Sequence, residues 1–296
     1  MTMIFVTHEI DFARSVADTI VYVGKGERAR ITMNNHNLSD ELINFALELA
    51  DASRAILLDA AANMPTVEVK PDRSLVTQTD KQVEQTLRDL IMARYPEHGI
   101  AGEELGTLNL DAEYVWVLDP IDGTAPFIAG LPVYGTLIGL ALNKRPYIGV
   151  IDHPATDDRW WGIAGERAVR NGSPVKTRRC EQLSLAFMTN SSPDLMTSAE
   201  RQVLDKLRPQ VRYVQYGGSC FSYALLASGR VDLSIDSGLD AFDVFAPAAV
   251  IEGASGVISD WQGNEITLDW AGQVIAAGDP QLHQTVLAQI AASQEA

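Results

Sequence analysis

Between Ser39 and Ala62 apolar residues recur at helical spacing, with Phe45, Leu49, Ile56 and Leu57 on a common face, and this predicts a long first helix. A β-prone segment follows over Val67 to Val76, then a second helix whose apolar face is Val83, Leu87, Leu90 and Ile91. Apolar runs near Val115, Thr136, Tyr147 and Trp160 predict strands; the first, Tyr114 to Leu118, is short, buried and stopped by Pro120. The second half alternates. It predicts a strand over Leu185 to Asn190, a helix over Ala199 to Leu207 and a strand over Val211 to Gln215. A helix from Phe221 to Ala227, a strand from Val231 to Ile235 and an Ala-rich helix from Val244 to Ile251 come next. A strand over Gly256 to Ser259 and a helix through Val286, Leu287 and Ile290 close the chain. Strands and helices in mixed order predict α/β layers, as opposed to a bundle or an all-β sandwich.

Composition narrows the choice of partner. The chain has 296 residues, 46% hydrophobic and 21% charged, enough for a sizeable core in one or two domains. A net charge of −16 argues against nucleic acid and against an anionic membrane, because both require a basic face. No apolar run is long enough to span a bilayer and no signal-peptide pattern occurs, so the expected location is cytoplasmic. Two cysteines, Cys180 and Cys220, are too few for a disulfide framework or a thiolate metal site, and the five histidines show no ligand spacing. His153 is expected at the surface. Of Trp160 and Trp161, at least one should fill the core.

Candidate chemistry concentrates in Trp116-Val-Leu-Asp-Pro-Ile-Asp-Gly-Thr124, where two carboxylates stand three residues apart after an apolar run and before a Gly-Thr turn. Such a pair suits magnesium, which takes oxygen ligands and shares them with substrate phosphate. Gly123 lets the backbone approach an anion closely, and the amides that follow can donate to it. An ordinary Asp-Pro turn is the competing reading. Gly102-Glu103-Glu104 upstream and Asp240-Ala-Phe-Asp243 downstream supply further carboxylates, which would repel one another without a cation. Asp243 is also explicable as a helix cap.

These blocks resemble the three signatures of the inositol monophosphatase-like, magnesium-dependent, lithium-sensitive phosphatases: Gly102-Glu-Glu104, Asp119-Pro-Ile-Asp-Gly-Thr124 with Phe127, and Asp243 followed by Glu252-Gly-Ala-Ser-Gly256. The resemblance runs from about Leu38 to the C-terminus. It implies a layered αβαβα sandwich made of two α/β halves, about 33–180 and 181–296, with the metals at their seam. It implies Mg2+ held by Glu103, Asp119, the Ile121 carbonyl, Asp122 and Asp243, with Asp80 supporting an additional ion. Thr124 would help Glu103 orient the attacking water, with Asp119 as the shared ligand, and the Gly123 and Thr124 amides would bind the phosphoryl group. Lys70 matches a basic position at the same mouth. The reaction implied is attack of a metal-activated water on a small-molecule phosphate monoester, with no phosphoenzyme. A homodimer is usual in such proteins. For Asp80 a local reading competes, in which Thr79 and Gln82 form a capping box.

Weaker motifs point to a branch. Pro132-Val-Tyr-Gly-Thr-Leu-Ile-Gly139, Gly149-Val-Ile-Asp152, Asp158-Arg-Trp-Trp-Gly162, Tyr216-Gly-Gly-Ser-Cys220 and Asp260-Trp-Gln-Gly263 resemble the histidinol-phosphate phosphatases more than the inositol or nucleotide branches. The resemblance implies substrate contacts at Gly218, Ser219 and Asp236, the last seven residues before Asp243. An acidic Asp236 would suit a substrate carrying an ammonium and an imidazole; a solvent-facing strand end is the other reading. Inositol 1-phosphate and 3′-phosphonucleotides are the competing substrates, and a nonenzymatic regulator that kept the fold is a second alternative.

Residues 1–32 stand outside this pattern. Met3-Ile-Phe-Val-Thr-His-Glu-Ile10 through Val23-Gly-Lys-Gly26 resembles a strand and following helix of an ATP-binding-cassette transport ATPase, yet the chain has no Gly-x-x-x-x-Gly-Lys-Ser/Thr phosphate loop. The expectation is a fused upstream fragment, with Met33 as the natural start.

Overall fold

The alternating apolar segments resolve into two main sheets and the helices that cover them. The computed structural model describes residues 19–22, 30–33, 35–62, 66–70 and 75–294, and the chain divides into two units, Met1–Phe45 and Ala46–Ala296. In the first unit, strand β1 (Thr19–Tyr22) pairs antiparallel with β2 (Arg30–Met33), and helix α1 (Asn35–Ala61) begins. The expected strand Met3–Ile10 lies outside the described residues.

In the second unit, β3 (Val67–Val69) and β4 (Leu75–Thr77) form a small antiparallel pair and lead into α2 (Gln78–Arg94). There follow β5 (Gly99–Gly102), β6 (Gly106–Leu108), β7 (Tyr114–Asp122), the short α3 (Thr124–Ala129), β8 (Gly135–Leu142), β9 (Arg145–His153), β10 (Asp158–Ile163), β11 (Arg167–Arg170) and β12 (Ser173–Val175). These eight strands make one sheet in the order β12-β11-β10-β9-β8-β7-β5-β6, in which only the β5–β7 pair is parallel.

The remainder comprises β13 (Phe187–Asn190), α4 (Ser198–Leu207), β14 (Tyr213–Tyr216), α5 (Ser219–Ala227), β15 (Leu233–Leu239), α6 (Ala241–Gly253), β16 (Val257–Ser259), β17 (Gly272–Ala277) and α7 (Pro280–Gln294). Its five-stranded sheet runs β14-β13-β15-β17-β16. Helices α5 and α6 share one apolar core with both sheets, while α4 and α7 share another with the far face of the smaller sheet. With α2 packed on β7, the layers run helix, sheet, helix, sheet, helix. The strand at Gly272–Ala277 was not expected from the sequence; it is a short Ala-containing run whose partners, β15 and β16, are supplied by tertiary pairing.

Two local features position the site. A regular strand sends residues i and i+3 to opposite faces. In β7, however, Asp119 pairs with Leu137 and Asp122 with Gly135, so three steps on β7 oppose two on β8. This bulge falls at Pro120, which has no ladder N–H to lose, and it brings both aspartates round to the same side. The second feature is a row of glycines in register across three strands, Gly139 on β8, Gly149 on β9 and Gly162 on β10. A Cβ at Gly149 would stand 2.2 Å from the Ala246 carbonyl oxygen, at Gly162 2.8 Å from the Val250 Cα, and at Gly139 2.9 Å from the Phe245 Cβ. The row is therefore a trough for α6, a helix apolar all round and buried along most of its length. Seated there, α6 carries Asp243 in its first turn to the end of β7.

Trp160 is fully buried with its indole N–H on the Ser228 hydroxyl at 2.8 Å, whereas Trp161 is half-buried under the Arg167 guanidinium. Among the described residues no helix is long and apolar enough to cross a membrane.

Candidate active site

Asp119, Asp122 and Asp243 each offer a carboxylate oxygen, and these oxygens all lie within 4.8 Å of one another. Three like charges so placed are costly. Burial, then Glu103, Asp122 and Asp243, push the Asp119 carboxyl well above the usual carboxylate range; Asp243 is displaced in the same direction, first by burial. Asp119 Oδ1 is buried with no protein partner. A buried orphan oxygen beside two further carboxylates is the donor set that a hard divalent cation completes. Asp122 Oδ2 accepts the Cys220 amide at 2.5 Å, which ties it to the start of α5 and partly offsets the upward push of burial. Asp243 Oδ2 accepts the Asp240 amide at 2.7 Å. The cap reading of Asp243 thus holds alongside its place in the cluster.

Glu103 reaches the cluster from the turn after β5. Its amide donates to the Leu118 carbonyl at 3.2 Å, which pins the turn to β7. Burial raises its carboxyl to about 7, opposed by Lys70. Lys70 Nζ stands 3.2 Å from Glu103 Oε1 and 2.7 Å from Glu104 Oε1, so the expected basic residue does lie at the mouth, paired with both glutamates. A residue that the sequence reading did not single out supports this turn: Glu84 Oε2 and Oε1 accept the amides of Glu104 and Leu105 at 2.7 and 3.1 Å. The available signal was the spacing of Asp80, Glu84 and Arg88, which puts three charges on one stripe of α2 beside the apolar Val83, Leu87 and Ile91.

Asp80 is fully buried, and the local alternative proposed for it needs correction: the capping box is formed by Thr77 with Asp80, not by Thr79 with Gln82. Asp80 Oδ2 accepts the Thr77 amide at 2.8 Å and the Thr77 hydroxyl at 2.5 Å. The Thr124 hydroxyl lies 3.3 Å from Asp80 Oδ1 and 3.0 Å from the Ile121 carbonyl oxygen. Asp80, Ile121 and Thr124 are therefore one contact group, held together by the Thr124 hydroxyl.

The loop carrying Gly218 and Ser219 also arrives here. A Cβ on Gly123 would meet the Ser219 Oγ at 2.9 Å, so the Gly123-Thr124 turn and the start of α5 are in direct contact. Asp236 is not the solvent-facing strand end that was its other reading. It is 2% exposed. Oδ1 accepts the Ser191 amide at 2.6 Å and the Asn190 side-chain amide at 3.0 Å, and Oδ2 accepts the Tyr223 hydroxyl at 2.6 Å. Burial raises its carboxyl to about 6. With both oxygens engaged, the carboxylate joins β13, β15 and α5. His153 is buried, not superficial: its ring lies 4.4 Å from that of Phe221 at a tilt of 32°, its Nδ1 meets the Thr156 hydroxyl at 2.9 Å, and burial lowers it to about 4.

Known proteins are similar to this chain in sequence and in fold. The chain is 41% identical over 263 residues to the bifunctional phosphatase IMPL2, chloroplastic, of Arabidopsis thaliana, covering 84% of this chain and 76% of that protein. It is 31% identical to the histidinol-phosphatase of Chlorobaculum parvum, covering 79% of this chain and 91% of that one. Among solved structures, an inositol monophosphatase from Zymomonas mobilis superposes with a TM-score of 0.78 at 36% identity, covering 85% of this chain and 98% of that chain. The sequence model of the Inositol monophosphatase family matches residues 38–295. A span that holds the β7 bulge, the Gly102–Leu105 turn and the seated α6 in full is thus shared with these enzymes, and the chain belongs to the inositol monophosphatase family.

Proposed function

We propose that this phosphatase is magnesium-dependent and that its substrate is L-histidinol phosphate, hydrolysed to L-histidinol and phosphate. The observation that supports metal dependence is the convergence of Asp119, Asp122 and Asp243 around the unpartnered Asp119 Oδ1. Glu103, Asp119, Asp122, Asp243 and the Ile121 carbonyl would hold the ions, with Asp80 beside them. Bound magnesium supplies an activated water and offsets the charge of the phosphoryl oxygens. The residues of the chain do the rest. The bulge at Pro120 and the packing of α6 hold the carboxylates converged before substrate arrives, so little reorganisation is needed. The Gly123 and Thr124 amides bind the phosphoryl group, and Thr124 is held by Asp80 and Ile121. Ser219 borders the same turn, and with Gly218 it would face the alcohol.

The branch motifs support histidinol phosphate, as do relatives named histidinol-phosphatase at 31% and 29% identity; inositol monophosphatases from tomato stand at 30% and 29%. Retention of every metal carboxylate disfavours a nonenzymatic regulator. Turnover of histidinol phosphate, inositol 1-phosphate and adenosine 3′,5′-bisphosphate, each with Mg2+ and with chelator, tests both parts. Histidinol phosphate should give the highest kcat/KM, and chelator should abolish it. A higher kcat/KM for either competitor overturns the substrate, and full activity in chelator overturns the metal. The homodimer belongs to this reading too and is checked by sedimentation.

A further inference from the structure

Glu84 lies one helical turn beyond Asp80 on α2, and Arg88 one turn further. No step of the reaction above uses it, and its side chain is fully buried. Its oxygens accept two successive backbone amides, those of Glu104 and Leu105, in the turn that carries Glu103. Arg88 Nε donates to Oε1 at 2.8 Å, and Arg88 Nη2 donates to the Gly106 carbonyl. With the Glu103 amide on Leu118, three consecutive amides are fixed, two of them by one carboxylate. Gly102 leaves the room this needs, since a Cβ there would stand 1.9 Å from Glu84 Oε1. Only an acceptor at both ends fits two donors side by side; a carboxylate has this and a carboxamide does not.

We propose that Glu84 is the positioning residue for Glu103: it clamps the Gly102–Leu105 turn so that the Glu103 carboxylate stands beside Asp119, and thereby sets the affinity of the cluster for a divalent cation. The proposal rests on the metal-dependent reading. It differs from a purely structural role in what it predicts, because a partner that orients a ligand changes metal affinity and not only stability.

The test is Mg2+ binding by calorimetry to the substrate-free full chain, alongside Tm with and without Mg2+. Glu84→Gln keeps the volume but turns an amide donor against a backbone donor. It should weaken Mg2+ binding by about tenfold or more and shrink the Tm gain that Mg2+ produces. Asp232→Asn is the control: Asp232, just before β15, is also buried and accepts the Phe187 amide and the Arg178 guanidinium. That variant should lose Tm and keep wild-type Mg2+ affinity. Should Glu84→Gln fail to fold, Glu84→Asp keeps the charge but is too short for both amides, and it should also bind Mg2+ more weakly. Wild-type affinity in the folded Glu84 variant overturns this proposal alone. A wild-type chain that binds no Mg2+ overturns the proposal together with the reading beneath it.

Discussion

Asp119 on the larger sheet and Asp236 on the smaller are buried to nearly the same depth, 1% and 2% exposed, yet their surroundings differ in kind. Around Asp119 stand Glu103, Asp122 and Asp243, and one of its own oxygens has no partner. Around Asp236 stand a tyrosine hydroxyl, an asparagine amide and a backbone amide, which engage both of its oxygens, and Asp122 adds only a minor like-charge push. Burial raises both carboxyls, but only the second is answered by donors. A buried carboxylate among like charges makes a cation site, and one among donors makes a joint between strands. Sequence position does not tell the two apart, since each is an aspartate near the end of a strand.

The strongest way to break the comparison is Asp119→Asn. Turnover in saturating Mg2+ should fall by on the order of 10³-fold, while Tm in chelator should hold or rise because one repelling charge is gone. Steady-state assays with scanning calorimetry check this, and retained activity would remove Asp119 from the site. Asp236→Ala should do the reverse. Leaving its donors unpaired should cost roughly 3 kcal/mol of stability by denaturant titration, with Mg2+ affinity unchanged. A raised KM at unchanged stability would instead make Asp236 a substrate contact. Gly149→Val probes how α6 delivers Asp243: overpacking the trough should cost about 2 kcal/mol and weaken Mg2+ binding as well, which calorimetry would detect. A loss of stability without loss of affinity would separate the helix seat from the site.

The effect that is smallest per step concerns pH. His153 falls from its ordinary 6.5 to about 4 because burial disfavours its charged form, against Asp158 and Asp152. A lowered value in the folded state means that its contribution is fully present above pH 6.5 and drains as pH falls toward 4. The stability difference between wild type and His153→Phe should therefore narrow on acidification, by at most about 1.4 kcal/mol per pH unit. Parallel melting curves from pH 7 to 4 measure it, and a constant gap would show that His153 does not titrate there.

Local signals carried much of this architecture. Helical spacing marked α2 and α4 to within a few residues, and the alternation after Leu185 announced the α/β layers. Reading failed where structure depends on distant partners. Strand β17 has its pairing only between β15 and β16, and the capping box of α2 closes on Thr77 because Asp80 is drawn inward to Thr124. His153, and Asp236 in its solvent-facing reading, look like surface positions until Phe221 and Tyr223 on α5 cover them.

The sequence by itself determined the chemistry on offer: carboxylates at Glu103, Asp119, Asp122 and Asp243, a glycine where backbone must come close, and apolar periods that predict α/β layers. The tertiary structure decided which of those groups meet. The bulge at Pro120 turned two aspartates to one side, the glycine row let α6 carry Asp243 across, and Glu84 gripped the turn that carries Glu103. Ligand identity is a property of single side chains and survives in one dimension. Convergence depends on distances between residues far apart along the chain, and only packing fixes those.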